Sequence, residues 1–276
     1  MIRLIAFDMD GTVLNDEKKI LKETNINEQA ARAGIEIVPA TGRPFCGISD
    51  EIYRLDGVRY VLTTNGAGIY ERDSKTCLYE DAIPLSAYLP MLAEVEAYDV
   101  MADTFLKGGA LMTKRKRDLL PRMRLTKEIR DYILSSRQVV ESQVDYLRER
   151  GEDVEKLTIN FAYDEDGHRI DYDAVWEVLK KYPDVNAVSG GMKNIEVTKK
   201  GVSKASGLLY LGKKLGIAPE EMMVFGDSGN DLDMIKMAGI GVAMANAEPE
   251  GLKAADFVTK SNNENGVGGF LVSADY

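Results

Sequence analysis

The feature that most constrains the fold of this 276-residue chain is a short apolar run near the N-terminus that ends abruptly in polar residues. Residues 4–7 are Leu-Ile-Ala-Phe, and residues 8–12, Asp-Met-Asp-Gly-Thr, follow directly. A buried parallel strand presents polar groups at its carboxyl end in this way. Because side chains alternate along a strand, Asp8 and Asp10 are expected to share a direction. The segment therefore predicts a parallel strand with two carboxylates at its end.

An Asp-x-Asp-Gly segment on its own has two other interpretations. One is a solvated turn, which stays open at this point. The other is a calcium loop, which requires glycine at its sixth position and glutamate at its twelfth. Counted from Asp8, these positions hold Val13 and Lys19, so the calcium loop does not fit.

The composition argues against several classes of function. A net charge of -10 disfavours an extended nucleic-acid surface, because binding to the phosphate backbone needs accumulated Lys and Arg. No apolar stretch is long enough to span a bilayer, so we expect neither nucleic acid nor a membrane as a partner. We expect a cytoplasmic protein in which Cys46 and Cys77 are reduced packing residues. No feature of the sequence specifies an oligomeric state.

The single histidine limits the catalytic chemistry that is available. His168 follows an Asp-Gly pair that predicts a surface hairpin turn. Without a second histidine, a Ser-His-Asp or Cys-His scheme would rest on this residue alone, and a histidine-rich zinc site is excluded. Catalysis would therefore depend mainly on carboxylates, Lys, Arg, hydroxyls or a hard metal ion.

Three further strand-like runs also end in polar residues or glycine. They are residues 35–40 before Thr41-Gly42-Arg43, residues 60–64 before Asn65, and residues 222–225 before the segment 226–231. Helical patterns over 23–33 and 202–215 alternate with these runs, and residues 256–259 and 266–271 are expected to complete the sheet. Such alternation predicts an α/β fold with a doubly wound, Rossmann-like parallel sheet.

Two positions outside the aspartates suggest an anionic ligand. Thr41, Gly42 and Arg43 offer a hydroxyl, an approachable amide and a guanidinium to a phosphate, although this motif taken alone is more often an ordinary turn. Lys204 falls in the first turn of a predicted helix, where the positive end of the helix dipole disfavours a lysine. We therefore expect an anion near Lys204.

The middle of the chain has a different character, with hairpins and helices that predict an α+β unit containing an antiparallel sheet. We interpret it as an insertion: residues 1–83 and 195–276 form the core domain, and residues 84–194 form the inserted domain. Its basic cluster, Lys114–Arg117 with Arg122 and Arg124, is interpreted either as a solvated face or as a surface that attracts an anionic substrate.

If the strand ends converge in one crevice, they bring together four carboxylates: Asp8, Asp10, Asp227 and Asp231. Each pair about 4 Å apart would repel by roughly 4 kcal/mol at an effective dielectric near 20. Lys204 alone cannot offset this repulsion. Mg²⁺, which binds one or two carboxylates together with phosphate oxygens, is the cofactor that fits best.

Five motifs in this order resemble those of the haloacid dehalogenase-like (HAD) phosphatases, specifically the Cof-type branch, close to its bacterial sugar phosphatases. The motifs are Asp8-Met9-Asp10-Gly11-Thr12, Ala40-Thr41-Gly42-Arg43, Asn65-Gly66, Gly201-Val202-Ser203-Lys204 and Gly226-Asp227-Ser228-Gly229-Asn230-Asp231. The resemblance covers the whole chain and implies that the inserted domain is an α+β cap of the C2B type. One departure is Ala205, where the family commonly has glycine.

The resemblance also implies roles for individual residues. Asp8 would be the nucleophile that forms an aspartyl-phosphate, and Asp10 would be the general acid and base. Mg²⁺ would be bound by the Asp8 carboxylate, the Asp10 main-chain carbonyl and Asp227. The residues implied to bind the phosphoryl group or substrate are Thr41, Gly42, Arg43, Asn65, Lys204 and Asn230, with Asp231 in support.

Together these observations predict a Mg²⁺-dependent phosphatase that hydrolyses small phosphorylated metabolites, with sugar phosphates as the expected class. Asp10 favours phosphoryl transfer over dehalogenation, because a departing halide needs no proton donor. Two alternatives are a phosphomutase of the same family and a metabolite-binding regulator without catalysis.

Overall fold

A computed structural model of the chain describes residues 1–21, 24, 26, 34–190 and 194–273. Within these ranges the chain forms two compact units. The first unit is Met1–Arg43, Ile48–Tyr79 and Val202–Tyr276, and the second unit is Pro44–Gly47 and Glu80–Gly201. The predicted helix over residues 23–33 lies, apart from two residues, outside the described ranges.

The described residues form fourteen strands. These are β1 (Leu4–Phe7), β2 (Glu36–Pro39), β3 (Tyr60–Thr63), β4 (Gly68–Glu71), β5 (Cys77–Glu80), β6 (Val100–Leu106), β7 (Gly109–Thr113), β8 (Gln138–Val140), β9 (Lys156–Phe161), β10 (Val185–Ser189), β11 (Ile195–Lys199), β12 (Met222–Gly226), β13 (Ile240–Ala243) and β14 (Phe257–Val258).

The same ranges contain ten α-helices. These are α1 (Asp50–Tyr53), α2 (Leu85–Glu96), α3 (Lys114–Arg117), α4 (Lys127–Ser136), α5 (Gln143–Arg150), α6 (Tyr172–Leu179), α7 (Lys204–Leu215), α8 (Leu232–Met237), α9 (Pro249–Ala254) and α10 (Gly266–Ser273). Among the helices in this part of the chain, none is long and apolar enough to cross a membrane.

The first unit contains a parallel sheet in the order β14-β13-β12-β1-β2. Strand β3 continues this sheet beside β2 through the parallel bridge between Ala40 and Leu62, and it forms an antiparallel ladder with β4. All four residues of β1 are fully buried, as expected of a strand covered on both faces. The predicted doubly wound parallel sheet is confirmed.

The order of the strands determines where a crevice forms. From β1 the chain builds outward through β2 on one side, and it returns to build β12, β13 and β14 on the other. In an open parallel sheet, ligands bind outside the carboxyl ends of the strands where the order reverses. The reversal here lies between β1 and β12, which pair in register with Phe7 beside Phe225.

Helix α7 covers one face of this sheet. Its side chains Leu208 and Leu211 are fully buried and pack against strand residues such as Leu62 and Val224. The helix ends at Gly216, which has the left-handed φ of 68° that glycine adopts without strain. The helix predicted over residues 202–215 is therefore confirmed, and it begins at Lys204.

The second unit contains a six-stranded sheet in the order β10-β11-β9-β6-β7-β8. Its pairs are antiparallel except β7 with β8, which is parallel. Helices α2, α5 and α6 cover one face and bury side chains such as Tyr88, Leu147 and Val175. The inserted α+β unit with an antiparallel sheet is thus present, with one parallel pair that the sequence did not indicate.

Three details differ from the expectations. Residues 266–273 form helix α10 instead of part of the sheet, because an apolar run this short does not distinguish a buried strand from a helix. Residues 139–150 have a pattern that predicts a helix, but Gln138–Val140 form strand β8, and the helix begins only after Ser142 caps it. Residues 195–201 lie in the second unit, since β11 pairs with both β9 and β10.

Candidate active site

The crevice of the first unit receives carboxylates from the ends of two neighbouring strands. Asp8 follows β1, and its backbone N–H donates to the carbonyl of Phe225 on β12 at 3.0 Å. Asp227 follows β12 directly, and Asp231 follows one turn later, before α8. One carboxylate oxygen from each of Asp8, Asp227 and Asp231 lies within 4.8 Å of the others. Asp8 therefore shares one small volume with two aspartates that lie more than 200 residues away along the chain.

Lys204 is the cation among these three carboxylates. Its Nζ donates to Asp8 Oδ1 at 2.7 Å and to Asp231 Oδ1 at 2.6 Å, and the side chain is fully buried. Helix α7 begins at this residue, with Ser203 as its N-cap. Burial alone would lower the pKa of Lys204, but the charges of Asp231 and Asp8 raise it above its ordinary value. Lys204 is therefore a permanent cation that links the carboxylates that follow β1 and β12.

Asp231 supports its neighbours through both carboxylate oxygens. While Oδ1 accepts from Lys204, Oδ2 accepts from the backbone N–H groups of Asp227 at 2.9 Å and Ser228 at 3.0 Å. The side chain is fully buried. Asp231 thus fixes both the lysine and the loop that carries Asp227.

The pKa values show that negative charge is in excess here. Burial raises the pKa of Asp8 well above its ordinary value, and the charges of Asp231 and Asp227 add to the rise against the opposing charge of Lys204. Burial and the charge of Asp231 raise the pKa of Asp227 to about 7, against a hydrogen bond from Thr12. One ammonium does not neutralise three buried carboxylates.

Gly11 and Thr12 bring the segment after β1 close to Asp227. The Thr12 hydroxyl donates to Asp227 Oδ1 at 2.7 Å. Gly11 has a φ of 85°, and a Cβ built on it would lie 2.5 Å from Asp227 Oδ2. Only glycine fits both this conformation and this close approach, so the Gly-Thr pair of the first motif has a direct structural purpose.

The side chain of Asp10 makes different contacts. Arg43 donates to it through two bonds, Nε to Oδ2 and Nη2 to Oδ1, both at 2.7 Å. Lys18 Nζ lies 3.0 Å from the same Oδ1. Although burial opposes the change, the charge and hydrogen bonds of Arg43, aided by Lys18, lower the pKa of Asp10 to about 2. Asp10 is held as a carboxylate by two cations.

Lys18 is a residue that the sequence analysis did not identify. It has a left-handed backbone conformation with φ of 62°, and its N–H donates to the Asn15 carbonyl at 2.9 Å. The surrounding loop is polar and has no periodicity. Because the placement of Lys18 depends on this turn, no sequence signal beyond its closeness to the first motif could have identified it.

A second network joins the ends of β2, β3 and β12. The Thr41 hydroxyl accepts from the Arg43 N–H at 3.1 Å, and the Thr41 carbonyl accepts from the Asn65 N–H at 3.0 Å. Asn230 Nδ2 donates to Asn65 Oδ1 at 3.1 Å, and the Ser228 hydroxyl donates to Asn230 Oδ1 at 2.8 Å. Thr41, Gly42, Arg43, Asn65 and Asn230 are thus brought to one edge of the sheet.

Gly66 allows α7 to begin at this edge. A Cβ on Gly66, whose φ is 97°, would lie 2.1 Å from the Ser203 carbonyl oxygen. No other residue type fits at that distance. The Asn65-Gly66 pair therefore permits the approach of the helix that carries Lys204.

The basic cluster lies in the second unit and is only partly a solvated face. Lys114–Arg117 form α3, in which Lys116 is buried, and its Nζ donates to the Tyr98 carbonyl at 2.5 Å. Arg122 forms an ion pair with Asp99 at 2.7 Å. The expectation of a solvated face is wrong for Lys116, since its ammonium donates hydrogen bonds to the backbone carbonyls at the end of α2.

The histidine and the cysteines lie outside the carboxylate site. His168 is exposed in the predicted turn, where its Nδ1 lies 3.5 Å from Asp164 Oδ2. Cys46 and Cys77 are both exposed. The expectation that the cysteines are packing residues is therefore wrong.

Comparison with known proteins gives a consistent result. The family model described as haloacid dehalogenase-like hydrolase matches residues 5–271. Phosphatase YwpJ of Bacillus subtilis is 30% identical, over 96% of this chain and 97% of that protein. The 5-amino-6-(5-phospho-D-ribitylamino)uracil phosphatase YcsE of the same organism is 31% identical, over 96% of this chain and 93% of that protein.

Solved structures agree with the sequence comparison. A haloacid dehalogenase-like hydrolase from B. subtilis superposes with a TM-score of 0.83 at 28% identity, covering 98% of this chain and 99% of that one. The HAD subclass IIB sugar phosphatase BT4131 superposes with a TM-score of 0.77 at 27% identity, covering 98% of both chains. These similarities extend over both units.

Proposed function

The chain belongs to the haloacid dehalogenase-like hydrolase family, and on that premise we propose that it is a Mg²⁺-dependent phosphatase of small phosphorylated metabolites. The observation that carries the proposal is the meeting of Asp8, Asp227 and Asp231, two of which bind Lys204, at the sheet edge where Asn230 and Asn65 link the end of β12 to Thr41. A carboxylate, a cation and hydroxyl and amide donors therefore occur together at one sheet edge, and phosphoryl transfer through an aspartyl-phosphate would use groups of these kinds.

The donor set fits a hard divalent cation. The available ligands are carboxylate and carbonyl oxygens, which Mg²⁺ prefers. Burial, together with the charge of Asp231, raises the pKa of Asp227 to about 7, and a cation beside these carboxylates would favour their charged form. We propose that the Asp8 and Asp227 carboxylates and the main-chain carbonyl of Asp10 would hold Mg²⁺. When bound, the ion would neutralise charge between nucleophile and phosphoryl group.

The proposed reaction has two steps. In the first, a carboxylate oxygen of Asp8 forms a bond to phosphorus while the bond from phosphorus to the substrate oxygen breaks, and Asp10 supplies the proton that this oxygen takes up. In the second, a water molecule attacks phosphorus and gives a proton to Asp10. The bond from phosphorus to Asp8 then breaks, which releases inorganic phosphate and restores the Asp8 carboxylate and the protonated Asp10 with which the cycle began.

Other residues at the sheet edge would bind the phosphoryl group. We propose that the ammonium of Lys204, the hydroxyl of Thr41 and the amide N–H of Gly42 contact its oxygens, as donors placed where negative charge develops. Asn65 and Asn230 already bond to each other at 3.1 Å and would extend this set of donors. Asp231 would act indirectly, by orienting Lys204.

The contacts of Asp10 match one of its two proposed roles directly. As a carboxylate held by Arg43 and Lys18, it is in the form required of a general base. To donate a proton in the first step it must first acquire one, which these two cations oppose. We propose that the Arg43 contact loosens during the first step and forms again in the second.

The substrate class follows from the related proteins. One relative is named for a phosphorylated ribitylamino compound, and one solved structure is a sugar phosphatase. Both substrates are phosphate esters of short carbon chains that carry hydroxyl groups. We propose sugar phosphates or similar compounds as substrates, residues 84–194 as a cap domain that selects among them, and the cytoplasm as the place of action.

Hydrolysis of p-nitrophenyl phosphate by wild type and the Asp8→Asn variant, with and without Mg²⁺, tests the proposal. We expect Mg²⁺-dependent activity in wild type and a loss of at least about 10³-fold in kcat for Asp8→Asn, since the nucleophile is removed. Asp233→Asn is the matched control, because Asp233 is exposed on the adjacent helix. Equal activity of Asp8→Asn and wild type would refute the covalent scheme.

A panel of phosphorylated metabolites then identifies the substrate. Release of inorganic phosphate supports hydrolysis, whereas an isomeric sugar phosphate without released phosphate would identify a phosphomutase. Binding without turnover across the whole panel would identify a regulator.

A further inference from the structure

The second unit has a cavity of about 260 Å³ whose function the carboxylate site does not explain. It lies between the hairpin of β6 and β7, the segment around Cys46, and helix α5. Its apolar wall includes Leu106 and Leu111, which belong to the helix-covered face of the sheet. The volume is somewhat smaller than that of typical drug-sized ligand sites, about 300–1,000 Å³, and suits a molecule of few carbon atoms.

Two cationic side chains line this cavity. Lys107 extends from the turn between β6 and β7, and Arg150 is the last residue of α5. The Arg150 guanidinium lies over the Tyr146 ring, 5.6 Å from its centroid. Glu152 is the acidic side chain of the lining, so the lining has a net positive charge of one.

Both cations have carboxylate partners that an incoming anion could replace. Arg150 donates to Glu152 at 2.6 and 3.0 Å, and Lys107 donates to Glu80. The Arg150 and Lys107 side chains are 45% and 47% exposed. Exposed ion pairs contribute little to stability, so exchanging them for contacts with a bound anion costs little.

The backbone at Lys107 gives an independent indication. Lys107 and Gly108 both have positive φ, 47° and 72°, in the two-residue turn that joins β6 to β7. Such turns favour Asn-Gly, and a lysine at the first position adopts a conformation that is unfavourable for its side chain. A strained residue that places its ammonium at a cavity is a reason to look for a function there.

We propose that this cavity binds a small organic anion, such as a phosphate or carboxylate compound with a short apolar chain. The anionic group would lie between Lys107 and Arg150 in place of Glu152, and the carbon chain would contact Leu106 and Leu111. Aromatic and apolar walls with a few placed charged groups are typical of small-molecule sites. The site is separate from the carboxylates of the first unit and does not depend on their proposed chemistry.

Cys46 provides a measurement, because it lines the cavity whereas Cys77 does not, and both are exposed. The full-length protein is alkylated with iodoacetamide in the presence of butylphosphonate, which phosphatases do not hydrolyse, and each cysteine is followed by peptide mass spectrometry. A ligand at ten times its Kd occupies about nine sites in ten, so we expect alkylation of Cys46 to slow about tenfold. Cys77 should be unaffected, and 1-butanol should give no protection.

Two variants remove the cations, and Arg148→Ala is the control. Arg150→Ala and Lys107→Asn should each raise the butylphosphonate concentration for half protection at least about tenfold, the loss of one charge-assisted contact. Asparagine is favoured at the first position of this turn, so a loss of protection in Lys107→Asn cannot be attributed to unfolding. Arg148 is two residues away on α5 with a 64% exposed side chain, and its removal should leave protection unchanged.

Three results would overturn the proposal. One is equal protection in Arg150→Ala and Arg148→Ala. Another is equal slowing of Cys46 and Cys77. The third is protection that disappears in Lys204→Met but persists in Arg150→Ala, since the anion would then act from the carboxylate site.

Discussion

Each unit of the protein buries a set of charged side chains, and the two sets differ in their balance. In the first unit, three carboxylates surround Lys204, which leaves a net charge of two negative units. In the second unit, Asp103 pairs with Arg137 at 3.1 Å, and Lys156 pairs with Glu196 at 2.7 Å. These two pairs are as deeply buried as the first set, but each of their carboxylates has its own cation.

The comparison shows which observation marks a functional site. Burial raises the pKa of Asp103 even with Arg137 beside it, so a raised pKa occurs in both sets. The net charge distinguishes them. A balanced buried pair can often be replaced by apolar residues at little cost, whereas an unbalanced set of carboxylates favours the binding of a cation.

The largest expected difference follows from removing one lysine from each set. Lys204→Met leaves three carboxylates without a cation and should lower the free energy of unfolding by about 3–5 kcal/mol in metal-free buffer. Lys156→Met leaves only the carboxylate of Glu196, whose side chain is 11% exposed, without its cation. It should lower the free energy of unfolding by about 1–3 kcal/mol. Urea denaturation followed by circular dichroism measures both, and equal losses would contradict the distinction.

The next test breaks and then restores the balance in the second unit. Asp103→Leu leaves Arg137 buried without its carboxylate and should cost about 3 kcal/mol. The double variant Asp103→Leu/Arg137→Met removes both charges, and its free energy of unfolding should lie within about 1 kcal/mol of that of wild type. A double variant as unstable as the single one would show that this pair does more than balance charge.

Magnesium should stabilise only the unbalanced set. At one hundred times its Kd, Mg²⁺ should raise the free energy of unfolding by about 2.7 kcal/mol, and a chelator should reverse the change. Thermal denaturation with and without Mg²⁺ should show the shift in Asp103→Leu/Arg137→Met but not in Asp227→Asn. Persistence of the full shift in Asp227→Asn would exclude that carboxylate as a ligand.

The smallest effect concerns Arg43, which holds Asp10 beside the cluster. Arg43→Ala should lower the free energy of unfolding by about 1 kcal/mol at pH 6. The expected loss is small because the Asp10 side chain is 35% exposed and solvent screens the ion pair. Arg43 and Lys18 lower the pKa of Asp10 from 3.8 to about 2, so this stabilisation is present above pH 4 and is lost as the pH falls towards 2.

Urea denaturation at pH 6 and pH 3 measures this effect, and the difference between wild type and Arg43→Ala should shrink at the lower pH. Arg59→Ala is the control, because that arginine is 60% exposed and 3.5 Å from Glu71. It should change stability by less than about 0.5 kcal/mol. A difference for Arg43→Ala that does not depend on pH would refute the assigned cause.

Several elements of the site could be predicted from the sequence because they depend on local patterns. The apolar run before Asp8 predicts a buried strand, and the runs before Thr41, Asn65 and Asp227 predict others. Since parallel strands have their carboxyl ends at the same edge of the sheet, the residues that follow these strands are the candidates for the site. The position of Lys204 in the first turn of a helix follows from similar local reasoning.

Other features depend on contacts that no local pattern contains. Asp10 shares a strand end with Asp8, yet its carboxylate binds Arg43 and Lys18. Lys116 occurs in a run of four basic residues that is typical of a solvated surface, yet it is buried against the end of α2. In both cases the partner comes from another element of the fold.

The sequence by itself therefore determined which segments form strands and which polar groups lie at their ends. These features depend on side-chain alternation and apolar character, which are properties of residues that are neighbours along the chain. Only the tertiary structure decided which of those groups meet. Lys204 and Asp8 are 196 residues apart along the chain but 2.7 Å apart in space. The strand order that places β1 between β2 and β12 brings them together, and with them an excess of negative charge that no single segment carries.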